Sequence, residues 1–466
     1  MSTFSGLNTA YTGLSAARRG LDVVGQNVAN ANVAGYTRQR LNTSSVPSLA
    51  PTGRFAAGTG VGQGVSVDSI ARLGSLQLDA RVRSTAAVAG YSAVRANALM
   101  ELEDGFNEPG KNGLAAALQD LSAAWQGVAN KPGDNASAAV LLNSANSVAG
   151  RLAAGYTAVR DQWDTTRSSL DAMVTEVNAG AVQLANLNNQ IRSTLASGAS
   201  ANELMDQRNA VATTLAALTG ATVRESSDGM VDVLIDGNAL VSGTHARALQ
   251  VTGGSSMGDA AEPAVGWADR PGAAGISKGE IAGAVSLLAS AGNGGVLAKA
   301  AASYNQVATA LATTVNELHR QGATADGSTG HDFFTAGTPA ATTLKALPTD
   351  ASGIAAGYPG SGAKDGSLAD RISQLGTQAG SADQVWSTFV TTTGALSRAE
   401  LQQATLADVA SSAAQDLQLS NASVDLDEEN VNLLMYQHAY QGAARVMSAI
   451  DEMLDTLINR TGIVGR

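Results

Sequence analysis

The chain has 466 residues, 44% of them apolar but only 4% aromatic, with a net charge of −11. That length is enough for two to four domains and at least one sizeable core. The negative balance argues against general nucleic-acid binding, which sets many Lys and Arg against phosphates. The absence of cysteine excludes disulfides, thiolate nucleophiles and Cys-based metal sites.

From the N-terminus, Phe4, Leu7, Tyr11, Leu14, Arg18, Leu21, Gly25 and Val28 recur at spacings of three and four. This is a heptad seam, broken at Arg18 and Gly25, and it predicts an amphipathic helix. The first twenty residues lack a basic start followed by an apolar core, so no ordinary signal peptide is expected. The Asn- and Gly-rich stretch NVANANVAGYTRQR follows, from Asn27 to Arg40. It is too polar for a core and holds no reactive acid, thiol or His. Asn27 and Asn30 can bond backbone groups at the helix end, and Gly35 can take a turn that other residues resist. Gly58, Gly60, Gly62 and Gly64 then lead into the alternation Val65, Val67, which reads as loop and short strand. No Lys-Ser/Thr follows these glycines, so they do not form a phosphate-binding loop.

Residues 76–129 return to helix, broken near NEPGKNG. Residues 134–219 read as a long helical region, with Leu184, Leu187, Ile191 and Leu195, then Leu204, Val211, Leu215 and Leu218, at helical spacing. A turn at SGAS between the two sets predicts antiparallel helices. Residues 221–251 change period and predict two or three short strands joined by tight turns at SDG and DGN. Residues 253–275 read as Gly- and Pro-rich loop, and about 281–320 as helix. Residues 321–370 have weak periodicity and predict an irregular or β-rich insertion with short helices after it. Helix resumes over about 397–419.

The C-terminal seam is unbroken: Leu433, Tyr436, Tyr440, Ala443, Met447, Ile450, Leu454 and Leu457. Asp425 and Glu428 form a capping-box pattern at its start, and Asp427, Glu428 and Glu429 suit the positive end of a helix. The expected fold is mainly α with smaller β-rich parts, multidomain and elongated. Residues 1–35 and 425–466 form a coiled-coil stem, and 36–75 an extended linker with short strands. Residues 76–220, 281–320 and 396–424 form a helical body, 221–280 a short β segment and loop, and 321–395 a variable outer insertion. No run of 18 apolar residues occurs, so no membrane span is expected. Residues 1–100 carry nine Arg, no Lys and three acids, whereas 421–466 carry three Arg and seven acids. Mutual attraction of the two ends explains this as well as chance in solvated faces.

Chemistry is sparse. His245, His319, His331 and His438 show no metal-ligand spacing. His331-Asp332 reads as a turn before buried Phe333 and Phe334, and His438 as a packed or surface residue beside the seam. Glu101, Glu103 and Asp104 read as a solvated helix end, and Asp425 to Glu429 lacks the spacing of a Ca²⁺ loop. No catalytic, cofactor or metal site is expected, and so no enzyme.

The first forty residues nevertheless match a pattern. A heptad helix followed by Asn-x-x-Asn-x-x-x-x-Gly-Tyr-x-Arg resembles the N-terminal signature of bacterial flagellar axial proteins, the rod, hook and hook-associated subunits. Asn27, Asn30, Gly35, Tyr36 and Arg38 occupy its positions. The run from SVDLDEEN to INRTG is similar to the C-terminal half of the same signature. Internal stretches, including GFNEPGKNG, ELMDQRNAVATTLAALTGATV, ISKGEIAGAVSLLAS and GHDFF, are similar to the hook-associated members. Little likeness extends over 321–396, and Val33-Ala34 stands where Thr-Pro is common. The resemblance implies a structural subunit exported through the flagellar type III apparatus and self-assembling as a ring at the hook–filament junction. It further implies contacts with hook protein and with a second junction protein, and a cytosolic chaperone over the C-terminal helix. Phe4, Leu7, Tyr11, Leu14, Leu21 and Val28 would then pack against Leu433, Tyr436, Tyr440, Met447, Ile450, Leu454 and Leu457. A hook or distal-rod subunit is the alternative, and an enzyme carried in 321–396 a more distant one.

Overall fold

The computed structural model describes residues 3–47, 62–226 and 228–460. It exposes 24100 Å² for a 46.8 kDa chain, against about 16,000 Å² expected of a compact monomer of that mass. The excess reflects an elongated molecule with a helical body and a separate two-helix stem.

The stem pairs α1 (Thr3–Asn30) with α11 (Leu426–Asp455). Between them in sequence, β1 (Gln39–Ser45) and β2 (Val65–Arg72) form an antiparallel ribbon with a bulge at Asn42/Thr43. Gly62 and Gly64 lie in the loop before β2, with Gly64 at φ +101°; Gly58 and Gly60 lie outside the described residues. Helices α2 (Leu76–Phe106), α3 (Leu114–Asn130), α4 (Asn135–Ala196) and α5 (Asn202–Thr219) begin the body. The break at NEPGKNG and the turn at SGAS fall where the sequence places them. Helix α4 is started by Asp134, whose side chain accepts from Ser137 N.

Next come β3 (Thr222–Glu225), β4 (Val231–Ile235), β5 (Asn238–Ser242) and β6 (His245–Ala246), a four-stranded antiparallel meander. A hairpin of β7 (Leu249–Thr252) and β8 (Ala264–Trp267) follows. The loop expected over 253–275 therefore contains a strand, and Val265 and Trp267 of that strand are buried. The single helix expected over 281–320 is two, α6 (Gly279–Leu288) and α7 (Val296–His319), interrupted by a short 3-10 turn at Ala291–Asn293. The insertion is as irregular as its composition: β9 (Phe334–Thr335), α8 (Ala340–Thr343), β10 (Lys345–Ala346) and α9 (Ser367–Ser373). Helix α10 (Ala382–Ala422) starts well before residue 397 because Ser381 caps it by accepting from Gln384 N and Trp386 is buried on its first turns.

One core runs through the body, from Ala98 on α2 to Trp386 on α10, and takes in all four tryptophans. Phe333 and Phe334 are buried in it. His319 is fully buried too; its Nδ1–H donates to His331 O at 2.7 Å and its Nε2 accepts from Ala355 N at 3.0 Å. Burial pulls its pKa below the ordinary value. Neither α1 nor α11 contributes to this core, so the stem must be held by something else.

Candidate functional site

The two terminal helices meet along a seam of small residues. Gly6, Ala10, Gly13, Ala17, Gly20, Val24 and Asn27 alternate at four and three, so they share one face of α1. A Cβ on Gly6 would lie 3.2 Å from Ile450 Cδ1, one on Gly13 3.9 Å from Ala443 Cβ, and one on Gly20 would overlap the Tyr436 ring. On α11 the expected residues do face this seam: Leu433, Tyr436, Ala443, Met447 and Leu454 are half-buried and Ile450 is buried.

On α1 the expected register is displaced by one residue. Phe4 and Tyr11 are 68% and 60% exposed, and Val28 is also exposed. Leu7, Leu14 and Leu21 are half-buried at the margin. Within one chain these six residues therefore do not form the face packed on α11, and Tyr440 and Leu457 likewise lie exposed. The physical reason is space. The large α11 side chains fill the gap between helices only if glycine and alanine stand opposite them. Further large apolar residues, including Val431, Leu434, Met435, Val446 and Met453, line the outside of α11.

At the base of the stem the Asn-rich stretch forms a polar hub. Asn27, 1% exposed, uses its whole amide: Nδ2 donates to Gln39 O at 2.9 Å and to Glu429 Oε2 at 3.1 Å. Its Oδ1 accepts from Gln39 N at 3.0 Å and from the Tyr36 hydroxyl at 2.9 Å. Asn30 bonds back to Gln26 O at 2.9 Å and ends the helix. Gly35 then turns the chain at φ +80°, and a Cβ there would meet nothing within 4 Å. Conformation rather than crowding requires glycine at this position.

Arg38 reaches the start of α11. Its Nε donates to Glu429 Oε1 at 2.8 Å and its guanidinium meets Glu428 Oε2 at 2.5 Å. Burial opposes the cation, but hydrogen bonds and charge from Glu428 and Glu429 carry its pKa above the free value. Asp425 caps α11 by accepting from Asp427 N and Glu428 N. Glu428 does not complete the capping box, because its carboxylate is on Arg38. The uneven charge of the two ends is thus realised in one place.

The same strand is tied to the body. Arg38 N donates to Ala422 O at 2.9 Å, and Thr37 N to Asp206 Oδ2 at 3.0 Å. Gln39 bonds Glu203 and Asn202 of α5. Arg72 pairs with Asp206 at 2.5 Å, and Gln418 bonds Asp79. Burial, together with the charges of Glu203, Asp206 and Glu429, pushes the Tyr36 hydroxyl up to about 12. A groove of about 700 Å³ opens beside Asn27, Arg38, Glu429 and Met435. The structure thus unites Asn27, Tyr36 and Arg38 in one network and leaves Asn30 and Gly35 as local turn-formers. Glu203 and Asp206 lie in a stretch that the sequence marks only by its family likeness, more than 160 residues from the strand they bind, and nothing in the sequence pairs Asp79 with Gln418. Gln39 lies within the stretch itself, but nothing in its local pattern sets it apart.

Among the described residues no group of His, Asp and Glu is arranged to hold a metal ion, and no helix is long and apolar enough to cross a membrane.

Comparison with known proteins bears on this arrangement. The family model of the flagellar hook-associated protein FlgK helical domain matches residues 99–334, just over half the chain. The flagella basal body rod protein model matches residues 7–37, and the flagellar basal body rod FlgEFG protein C-terminal model residues 418–460. The two rod-type matches therefore cover most of both stem helices and take in Asn27, Tyr36 and Glu429 of the hub, stopping just before Arg38. Flagellar hook-associated protein 1 of Bacillus subtilis (strain 168) is 29% identical over 514 residues, covering 100% of both chains. The protein of the same name from Escherichia coli (strain K12) is 28% identical over 75% of this chain and 65% of its own length. Among solved structures, the flagellar hook junction protein FlgK from Burkholderia pseudomallei superposes with a TM-score of 0.63. It covers 75% of this chain and 100% of its own at 16% identity, a likeness of fold. On the helical-domain match, set between the two terminal ones, the chain belongs to the flagellar hook-associated protein FlgK family.

Proposed function

We propose that this chain is a structural, non-catalytic subunit that assembles as a ring at the tip of the flagellar hook and joins hook to filament. It leaves the cell through the flagellar type III export apparatus, with a cytosolic chaperone over α11 before export. It then contacts hook protein on one side and a second junction protein on the other. The observation that carries this reading is the stem. Its α1 helix meets α11 through glycine and alanine, and Phe4, Tyr11, Leu434 and Met453 stand exposed on the outside of the pair. Large apolar side chains on the outside of a narrow helical pair are faces for other helices. Repeated head-to-tail contact between identical subunits generates a ring or tube.

The terminal matches by themselves suit a hook or distal-rod subunit equally. The helical-domain match over residues 99–334 favours the junction. Removal of residues 426–466 tests the reading: hooks should form without filaments, while the purified body keeps its helical circular dichroism. Filaments of normal length on that strain would overturn it.

A further inference from the structure

Beside the hub, between the first turns of α2, helix α5 and strands β3 and β4, lies a cavity of about 240 Å³. Three arginines line it: Arg72, Arg83 and Arg208. Arg72 is neutralised by Asp206 at 2.5 Å, with Asp79 3.8 Å away. The other two differ. Arg83 and Arg208 are each only 8% exposed, and neither forms an ion pair with any described carboxylate. Arg83 donates from Nη1 to Asn209 Oδ1 at 2.8 Å. Arg208 donates from Nη1 to Gly229 O at 2.6 Å and to Asn188 Oδ1 at 3.4 Å.

A guanidinium carries five N–H donors, so most of those on both residues have no acceptor among the described residues. Buried arginines are ordinarily paired, because an isolated buried charge is costly. Burial lowers the Arg83 pKa, with the Arg72 charge adding to it and Asp79 and Glu225 opposing. Burial first, then the charges of Arg72 and Arg83, bring the Arg208 pKa down to about 10, against an opposing pull from Glu225. The Glu225 carboxylate lines the same cavity but is exposed and bonds neither arginine. The body thus holds a space lined by three arginines together with Asp79 and Glu225, with donors on two separate helices, α2 and α5, that no described residue accepts. Asn209 fixes the first guanidinium, and Asn188 and the Gly229 carbonyl fix the second. Such fixed forks match the geometry of a tetrahedral oxyanion.

We infer that this cavity binds a small oxyanion of the phosphate class, held between the guanidinium groups of Arg83 and Arg208. The cavity has room for such an ion with a few waters but not for a nucleotide. Occupancy would brace α2 against α5 where both support the stem exit. The inference does not rest on the assembly reading, since it concerns the single chain.

The test is calorimetric titration of the full chain with inorganic phosphate at constant ionic strength, sodium chloride making up the difference. Saturable binding with one ion per chain is expected. Arg83→Gln and Arg208→Gln should each weaken it at least about tenfold, because a charge-assisted hydrogen bond is lost. Glu225→Gln removes the one uncommitted carboxylate of the cavity at an exposed position, keeps the fold, and should tighten binding several-fold. Non-saturating heats equal to those of chloride would overturn the inference. So would unchanged binding in Arg83→Gln, or weaker binding in Glu225→Gln, which would show that the ion sits elsewhere.

Discussion

Replacing Asn27 by Ala should loosen the stem without melting the body. The side chain satisfies both backbone groups of Gln39, which are buried beside it, as well as the Tyr36 hydroxyl and one oxygen of Glu429. In the Ala variant the Tyr36 hydroxyl can turn to water, and Glu429 keeps Arg38. The two Gln39 groups cannot find new partners. An unsatisfied buried donor or acceptor costs about 1–3 kcal/mol, so the loss is about 2–6 kcal/mol. Even the lower figure raises the population of the opened hub about 30-fold. Amide hydrogen exchange reads this directly, because stem and body open separately when their packing is separate. Amides of β1 and of the first turns of α11 should exchange at least about 30-fold faster, while those of α4 around Leu170 and Val177 stay as slow as before. Asn27→Asp keeps the shape but turns two donors into acceptors facing Gln39 O and Glu429, and should be at least as damaging. Exchange in the Ala variant within threefold of the parent would refute the claim that Asn27 fastens the exit.

Four other outcomes follow from the same geometry. Gly20→Ala should destabilise the α1–α11 pair by driving into the Tyr436 ring. Gly25→Ala, with nothing within 4 Å, should instead gain up to about 1 kcal/mol of helix propensity; opposite shifts in the thermal melt of the stem check the pair. Gly35→Asn should retain motility because Asn tolerates positive φ, while Gly35→Val should impair assembly and leave the body's circular dichroism unchanged. Phe4→Ser with Tyr11→Ser should change monomer stability by no more than about 0.5 kcal/mol each, since both are exposed; growth of filaments on hooks, counted by microscopy, should nevertheless fail. Finally, His319 is neutral when folded and its pKa is lowered chiefly by burial. The unfolded chain then binds the extra proton, so His319 contributes stability above about pH 6.5 that is lost as pH falls from there toward the depressed folded value. The melting temperature of the body should drop across that window, and His319→Gln should flatten this part of the profile.

Much of the helical framework was legible because helical period survives in Ala-rich sequence: Leu184, Leu187 and Ile191 mark the buried face of α4 and are buried there. Strand β1 was not, since QRLNTSS has no apolar alternation and is held by its partner β2 and, at Gln39, by Asn202 rather than by its own pattern. The α1 seam was misplaced by one residue for a definite reason. Hydrophobic weighting favours Phe4, Leu7 and Tyr11, yet Gly6, Ala10 and Gly13 keep the same spacing beside them. Which of two adjacent heptads packs inward depends on the size of the partner's side chains, and Tyr436 and Ile450 lie more than four hundred residues away. The polar hub was half legible. Asn27, Gly35, Tyr36 and Arg38 form a local pattern, but Glu203 and Asp206 become its partners only through folding of the body.

That misplacement bears on how the stem works. With glycine and alanine on the α1 side and only Ile450 fully buried on the α11 side, the seam buries less apolar area than the Trp- and Leu-filled core of the body. In proteins most helical stability comes from packing of an amphipathic face rather than from propensity. The stem's direction is therefore set by directional polar contacts at its base, where Asn27, Arg38 and Glu429 are buried or nearly so and fully committed. Phe4, Tyr11, Leu434 and Met453 remain available on the outside. A stem sealed by those residues would be more stable alone but would have nothing left to offer a neighbour. The small-residue seam and the polar lock are thus two parts of one arrangement. The seam frees the apolar faces of α1 and α11, and the lock supplies the orientation that a weak seam cannot provide.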